Sequence, residues 1–116
     1  MSDSLKALVI DALEELKAQE LAVLPVAEVS SVTDWMVVAS GTSNRHVKSL
    51  ADNVAQRAKD AGYRPIGVEG EDTAEWVLVD FGELIVHVML PATRAFYDLE
   101  SLWSVKPGSR PEEPPA

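Results

Sequence analysis

Residues 67–90 read GVEGEDTAEWVLVDFGELIVHVML, and the fold turns on this stretch. Two apolar runs, Val77-Leu78-Val79 and Leu84-Ile85-Val86, flank Phe81-Gly82-Glu83. A glycine there supplies the positive φ of a tight turn, so the pattern predicts a β-hairpin. A strand buried on one side alternates apolar and polar residues, and this hairpin barely alternates. It is apolar on both faces. Glu69, Glu71, Asp72, Glu75, Asp80 and Glu83 form an acidic fringe, and the stretch contains no Lys or Arg. Either both faces are covered within the monomer, or one is kept for a partner.

The two-residue period of a strand sorts these side chains. Trp76, Leu78 and Asp80 fall on one side, and Val77, Val79 and Phe81 on the other. On the second strand Ile85, His87 and Met89 oppose Leu84, Val86 and Val88. The sets holding Val77 and Leu84 are purely apolar and should pack on helices. The sets holding Trp76 and Ile85 mix an indole, aliphatics, a carboxylate and an imidazole, which is the composition of an interface. The competing reading is a second layer inside the monomer, or a homodimer mate.

Working outward, Leu5, Leu8, Val9, Ala12, Leu13 and Leu16 recur at helical spacing. Pro25 forces an extended conformation on Leu24, and Val26-Ala27-Glu28-Val29 reads as a short strand. Trp35-Met36-Val37-Val38-Ala39-Ser40 is a continuous apolar run of strand length, as expected of a central strand. Val47, Leu50, Ala51, Val54, Ala55 and Ala58 make a second helical stripe, closed by Gly62 at a C-cap position. Ile66-Gly67-Val68-Glu69 is a short strand before the hairpin. Pro91 ends the hairpin, and Thr93 is placed to cap a last helix whose Phe96, Leu99 and Trp103 share a side. The crossover from Trp35 through Gly62 to Ile66, followed by an antiparallel hairpin, predicts an α/β fold. Its mixed sheet has about five strands with helices packed on it. Residues 1–105 form the domain, and 106–116, KPGSRPEEPPA, are expected to be a disordered tail with nothing to bury.

Ten basic against nineteen acidic residues give a formal charge of −9. Such a chain is poorly suited to a phosphate backbone and better suited to a basic protein partner. There is no cysteine, which excludes disulfides, thiolate catalysis and Cys-ligated zinc. No apolar run reaches the ~20 residues of a membrane span, and the N-terminus lacks a signal-peptide core, so a cytoplasmic location is expected.

Two constellations bear on catalysis. Gly41-Thr42-Ser43 joins a strand to a helix and could hold a phosphate at the helix N-terminus. A nucleotide-binding or nucleotidyl-transferring enzyme would add paired carboxylates for Mg²⁺. The nearest pair, Glu69-x-Glu71, sits in a turn, and the strand after that helix carries no Asp-x-Asp. The plainer reading is a capped helix start. His46 and His87 lack a third ligand for a metal site. An acid–base pair of Asp80 and His87 across the hairpin is one reading, and a hydrogen-bonded strand histidine is the other.

Three blocks carry a resemblance. The first is Thr33-Asp34-Trp35-Met36-Val37-Val38-Ala39-Ser40-Gly41-Thr42-Ser43-Asn44-Arg45-His46-Val47. The second combines Gly67-Val68-Glu69-Gly70, Trp76-Val77-Leu78-Val79-Asp80-Phe81-Gly82 and Val86-His87-Val88-Met89. The third is the closing Tyr97-Asp98-Leu99-Glu100-Ser101-Leu102-Trp103. In this order and spacing they resemble the ribosomal silencing factor (Iojap) family. Trp35 departs from the Tyr or Cys that the family pattern has after Thr-Asp.

The resemblance implies a non-enzymatic protein without cofactor or metal. It implies an α/β fold related to nucleotidyltransferases but without their catalytic carboxylates. The implied partner is protein fourteen of the large ribosomal subunit, with no primary nucleic-acid contact and no membrane. The bound factor would block joining of the small subunit and repress translation under nutrient limitation. A homodimer is implied off the ribosome. Carried over by position, the partner-binding residues are Trp76, Leu78, Asp80, Ile85, His87, Met89 and Tyr97. Glu69 and Glu71 are added as ion-pair partners for basic residues.

Overall fold

The computed structural model describes residues 2–28 and 33–97. The element order is α1 (Ser2–Glu15), β1 (Gln19–Pro25), β2 (Trp35–Ser40), α2 (Asn44–Asp60), β3 (Gly67–Glu69), β4 (Trp76–Asp80), β5 (Leu84–Met89) and α3 (Pro91–Tyr97). The strands form one sheet in the order β1-β2-β5-β4-β3. β2 and β5 run parallel, and the other pairs are antiparallel. The mixed five-stranded α/β architecture is therefore as expected. The crossover from β2 through α2 lands three strands away, at the far edge, and the two strands of the β4–β5 hairpin fill the gap between them.

Phe81 N–H bonds to the Leu84 carbonyl at 2.9 Å, leaving Gly82 and Glu83 as a two-residue loop. Gly82 has φ +88°, and Glu83 is not among the residues with positive φ, which is the pattern of a type II′ hairpin turn. α1 and α2 lie on one side of the sheet, while Arg94 of α3 reaches Ser40 on the other. Leu5, Val9, Ala12 and Leu13 of α1 and Val47, Leu50, Ala51, Val54 and Ala58 of α2 share a buried cluster. The sheet contributes Val37, Ala39, Val77, Val79, Leu84, Val86 and Val88 to it. The purely apolar hairpin set thus faces the helices, as the alternation requires.

Local chemistry sets the ends of α2. Ser43, at φ −153°, accepts the His46 N–H at 3.1 Å and forms the N-cap. At the other end Gly62 has φ +95°, with Tyr63 N–H on the Ala58 carbonyl and Gly62 N–H on the Lys59 carbonyl. That double closure is a Schellman motif, and Arg57 and Lys59 complement the helix dipole beside it. Ser43→Ala is expected to cost about 1 kcal/mol, read from the shift of a urea unfolding midpoint at unchanged slope.

Three expectations are corrected. The first strand runs over Gln19–Pro25, ahead of the stretch from Val26 assigned from sequence, and residues 29–32 lie outside the described residues. The chain leaves α1 through Lys17 at φ +63°, without a glycine to mark the turn, and enters β1 through an irregular register at Glu20. Pro25 closes β1 at the sheet edge, opposite Trp35, where a missing N–H is tolerated. α3 begins at Pro91, whose fixed φ suits the first helical turn, so Thr93 lies inside the helix and does not cap it. Phe96 is 78% exposed and does not face the core. Leu99, Trp103 and the tail lie outside the described residues.

Candidate functional site

The sheet face opposite α1 and α2 is built in three rows by strand register. Leu24, Met36, Ile85, Asp80 and Gly67 form the row nearest the hairpin turn. Ala22, Val38, His87, Leu78 and Glu69 form the middle row. Ser40, Met89 and Trp76 form the third.

The two halves of this face differ. On the β2 side Met36, Val38 and Met89 are buried with Val26 in a second apolar cluster, against which Ala22, Leu24 and Trp76 pack. On the β4 side Trp76, Leu78, Asp80 and Ile85 are only half-buried, and Glu69 is exposed. A shallow hollow of ≈ 200 Å³ lies between Glu69, Gly70, Trp76 and Leu78. The accessible part of the face is therefore a strip along β4 and the start of β5, rising to the acidic loop.

Several side chains in this strip have fixed partners. The Trp76 indole N–H donates to His87 Nδ1 at 3.0 Å, with ring centroids 5.9 Å apart. His87 is 6% exposed, and burial pushes its pKa down to about 4. Asp80 Oδ1 accepts the Gly82 N–H at 2.8 Å and so braces the hairpin turn. Behind the strip, buried Arg94 of α3 donates to Ser40 Oγ at 2.9 Å.

Six of the residues selected from sequence share this face: Trp76, Leu78, Asp80, Ile85, His87 and Met89. Met89 is on the expected face but wholly buried, so it supports Trp76 from beneath. Glu69 joins them in register beside Leu78. Glu71 does not. It leans toward α2, where a hydrogen bond to the Asp52 carboxyl, then partial burial and repulsion from Asp52, raise its pKa against the pull of Lys48. Tyr97 ends α3, and its side chain lies outside what is described.

Asp80 and His87 are not abreast as an acid–base pair would need. Asp80 stands across from Ile85 and His87 across from Leu78. Sequence reasoning missed the Trp76–His87 bond because it paired His87 with the nearest carboxylate; the i to j+2 diagonal of a hairpin brings the indole as close. It also missed Arg94 and Ser40, whose contact joins α3 to the third row.

Gly70 carries the acidic loop past β4 at φ +91°, and a Cβ there would run into the Trp76 carbonyl oxygen. Gly70→Ala is expected to cost about 2 kcal/mol by thermal or urea unfolding and to shift the Trp76 fluorescence, because both the backbone conformation and the clash act on that strand.

The Gly41-Thr42-Ser43 turn is engaged by its own helix. Ser43 Oγ takes the His46 N–H, the Ser43 carbonyl takes the Val47 N–H, and His46 Nδ1 takes the Thr42 N–H at 2.8 Å. The other His46 nitrogen bonds the Leu16 carbonyl at 2.8 Å, so this ring ties the end of α1 to the start of α2. A Cβ on Gly41 would meet Val47 backbone nitrogen at 2.9 Å, which accounts for glycine there by close packing and not by phosphate. Glu69 and Glu71 diverge to opposite sides of the sheet edge. Among the described residues no three His, Asp or Glu side chains gather to hold a metal ion, and no helix is long and apolar enough to cross a membrane.

The family model described as "Ribosomal silencing factor during starvation" matches residues 1–115. A ribosomal silencing factor of Chromobacterium violaceum is 48% identical over 96 residues, covering 83% of this chain and 79% of that protein. A mouse protein named for mitochondrial assembly of the ribosomal large subunit is 33% identical over 85% of this chain and 45% of its own length. A crystal structure from C. violaceum superposes with a TM-score of 0.87 at 42% identity, covering 97% of this chain and 93% of that one. One from Bacillus halodurans superposes with a TM-score of 0.79 at 32% identity, covering 87% and 94%.

Proposed function

This chain belongs to the ribosomal silencing factor family, and on that premise we propose that it binds the large ribosomal subunit and sterically blocks joining of the small subunit. The observation that carries the proposal is the half-buried strip of Trp76, Leu78 and Ile85, bordered by Asp80 and Glu69, on the face α1 and α2 leave open. An aromatic anchor among aliphatics with a polar rim is how binding energy concentrates in a protein interface.

The contact on the subunit is its protein fourteen. A formal charge of −9 favours encounter with a basic ribosomal surface and suppresses wrong partners through like-charge repulsion. Glu69 acts at the rim, where an ion pair speeds association more than it tightens binding. The mouse relative's name, tied to the mitochondrial large subunit, points to the same particle.

The mechanism is competition for a surface. A patch of about 800 Å² on each partner suffices for a specific complex. If that patch overlaps a contact needed by the small subunit, joining falls in proportion to occupancy, with no catalytic step. The protein is thus a translation repressor and not an enzyme. The reading includes a homodimer off the ribosome and a cytoplasmic location.

Titration of the purified protein against isolated large-subunit protein fourteen tests the proposal. Saturable one-to-one binding that weakens with added salt is expected. No heat and no complex at micromolar concentrations of both folded proteins would remove protein fourteen as the contact.

A further inference from the structure

His87 sits in the middle row of the open face, between Val38 of β2 and Leu78 of β4. Its Nδ1 receives the Trp76 indole N–H at 3.0 Å. An indole nitrogen only donates, so Nδ1 is the accepting nitrogen and the proton of the neutral ring rests on Nε2. Among the described residues no acceptor takes that Nε2–H, and no buried side-chain nitrogen is left unsatisfied, so Nε2 looks out through the small exposed part of the ring. The charged groups around it are placed elsewhere. Asp80 is one row nearer the turn and holds the Gly82 N–H; Glu69 lies on β3 beyond Leu78; Arg94 is at the far row on Ser40.

We propose that Trp76 is a positioning residue that locks His87 in the Nε2–H tautomer, so that the open face presents one fixed, neutral donor to a backbone carbonyl of the docked protein. The acceptor follows from the surroundings. Val38, Leu78 and Ile85 make the neighbourhood apolar, and a donor left unpaired there on docking carries its full desolvation cost. A neutral carbonyl satisfies it with little to desolvate. A carboxylate would instead favour the imidazolium, which burial opposes and which would set a second ring N–H against the indole N–H. The inference rests on the ribosomal reading for the identity of the docked protein, while the tautomer lock belongs to the free chain.

Three variants with two readouts test it. The ¹⁵N spectrum of the imidazoles in the free protein reports the tautomer directly. Trp76→Phe keeps a ring but removes the N–H. His87→Gln offers an amide nitrogen near the Nε2 position, and His87→Asn keeps an acceptor for the indole but has nothing at that position. Binding is measured with purified large ribosomal subunits.

The wild-type spectrum is expected to show Nε2–H alone at neutral pH, and the Trp76→Phe spectrum a mixture of tautomers. Trp76→Phe and His87→Asn should each bind about tenfold more weakly, and His87→Gln should stay within about threefold of wild type. A wild-type Nδ1–H tautomer, an unchanged tautomer in Trp76→Phe, or full-strength binding by His87→Asn would each overturn the inference. If the wild-type protein shows the lock but does not bind large subunits, the ribosomal reading has failed and the donor role falls with it. If it binds and shows the other tautomer, only the present inference fails.

Discussion

Leu78→Arg is expected to abolish binding to large ribosomal subunits, weakening it by about 100-fold or more, in a domain that stays folded. Leu78 lies at the centre of the accessible strip, between His87 and Glu69 in register, and lines the shallow hollow beside Trp76. A guanidinium there puts charge and bulk into the part of the patch that must be desolvated on docking. The fold should tolerate it, because Leu78 is only half-buried and exposed Glu69 stands next to it. Asp80→Arg is a less clean probe of the same patch. Its carboxylate braces the Gly82 N–H, so loss of binding would mix with loosening of the turn. Circular dichroism and a melting curve for Leu78→Arg, beside its subunit-binding isotherm, separate folding from recognition. Wild-type affinity from a well-folded Leu78→Arg protein would move the interface off this face.

Acid is expected to destabilise the domain through His87, by about 3 kcal/mol between neutral pH and pH 4. Burial lowers the folded-state pKa to about 4, against an ordinary value of 6.5. The unfolded chain therefore takes up a proton on this residue first as pH falls. The stabilising contribution is fully present above the unfolded value, declines as pH drops below about 6.5, and is exhausted near pH 4. The indole N–H aimed at Nδ1 acts in the same direction, since protonation there would set donor against donor. Urea unfolding across this range, for wild type and His87→Gln, isolates the effect because the carboxylates are common to both. The wild-type curve should fall more steeply than that of the variant. Parallel curves would show that His87 titrates alike in the folded and unfolded chains.

The hairpin could be read from sequence because its determinants are local. Gly82 marks the turn and the two-residue period assigns every side chain to a face, whereas the cross-strand register, which sets Asp80 against Ile85 and not beside His87, is visible only in the structure. Local determinants also mark α2, whose Ser43 cap and Gly62 closure are written beside its apolar stripe. β1 was not legible. Its entry depends on left-handed Lys17 and an irregularity at Glu20, residue types that advertise neither, and Pro25 drew the strand downstream of its true place. The start of α3 was missed for a related reason, because Thr93 looked like a cap while Pro91 already occupied the first helical position.

The candidate site divides the same way. Membership of the open face follows from alternation, so Trp76, Leu78, Asp80, Ile85 and His87 emerged together. Depth along that face does not. Met89 is buried because Val26, Met36 and Val38 gather around it from two other elements, which no local pattern encodes. Glu71 leaves the face because Gly70, in the left-handed region, redirects the chain toward Asp52 and Lys48 of α2.

Light scattering of separated ribosomal subunits, mixed after preincubation of the large subunit with increasing amounts of this protein, tests the central claim most directly. The account predicts that joining falls as the large subunit is occupied, that preincubating the small subunit instead gives no added effect, and that Leu78→Arg leaves joining intact. Undiminished joining at saturating, folded protein, or inhibition that Leu78→Arg retains in full, would contradict it.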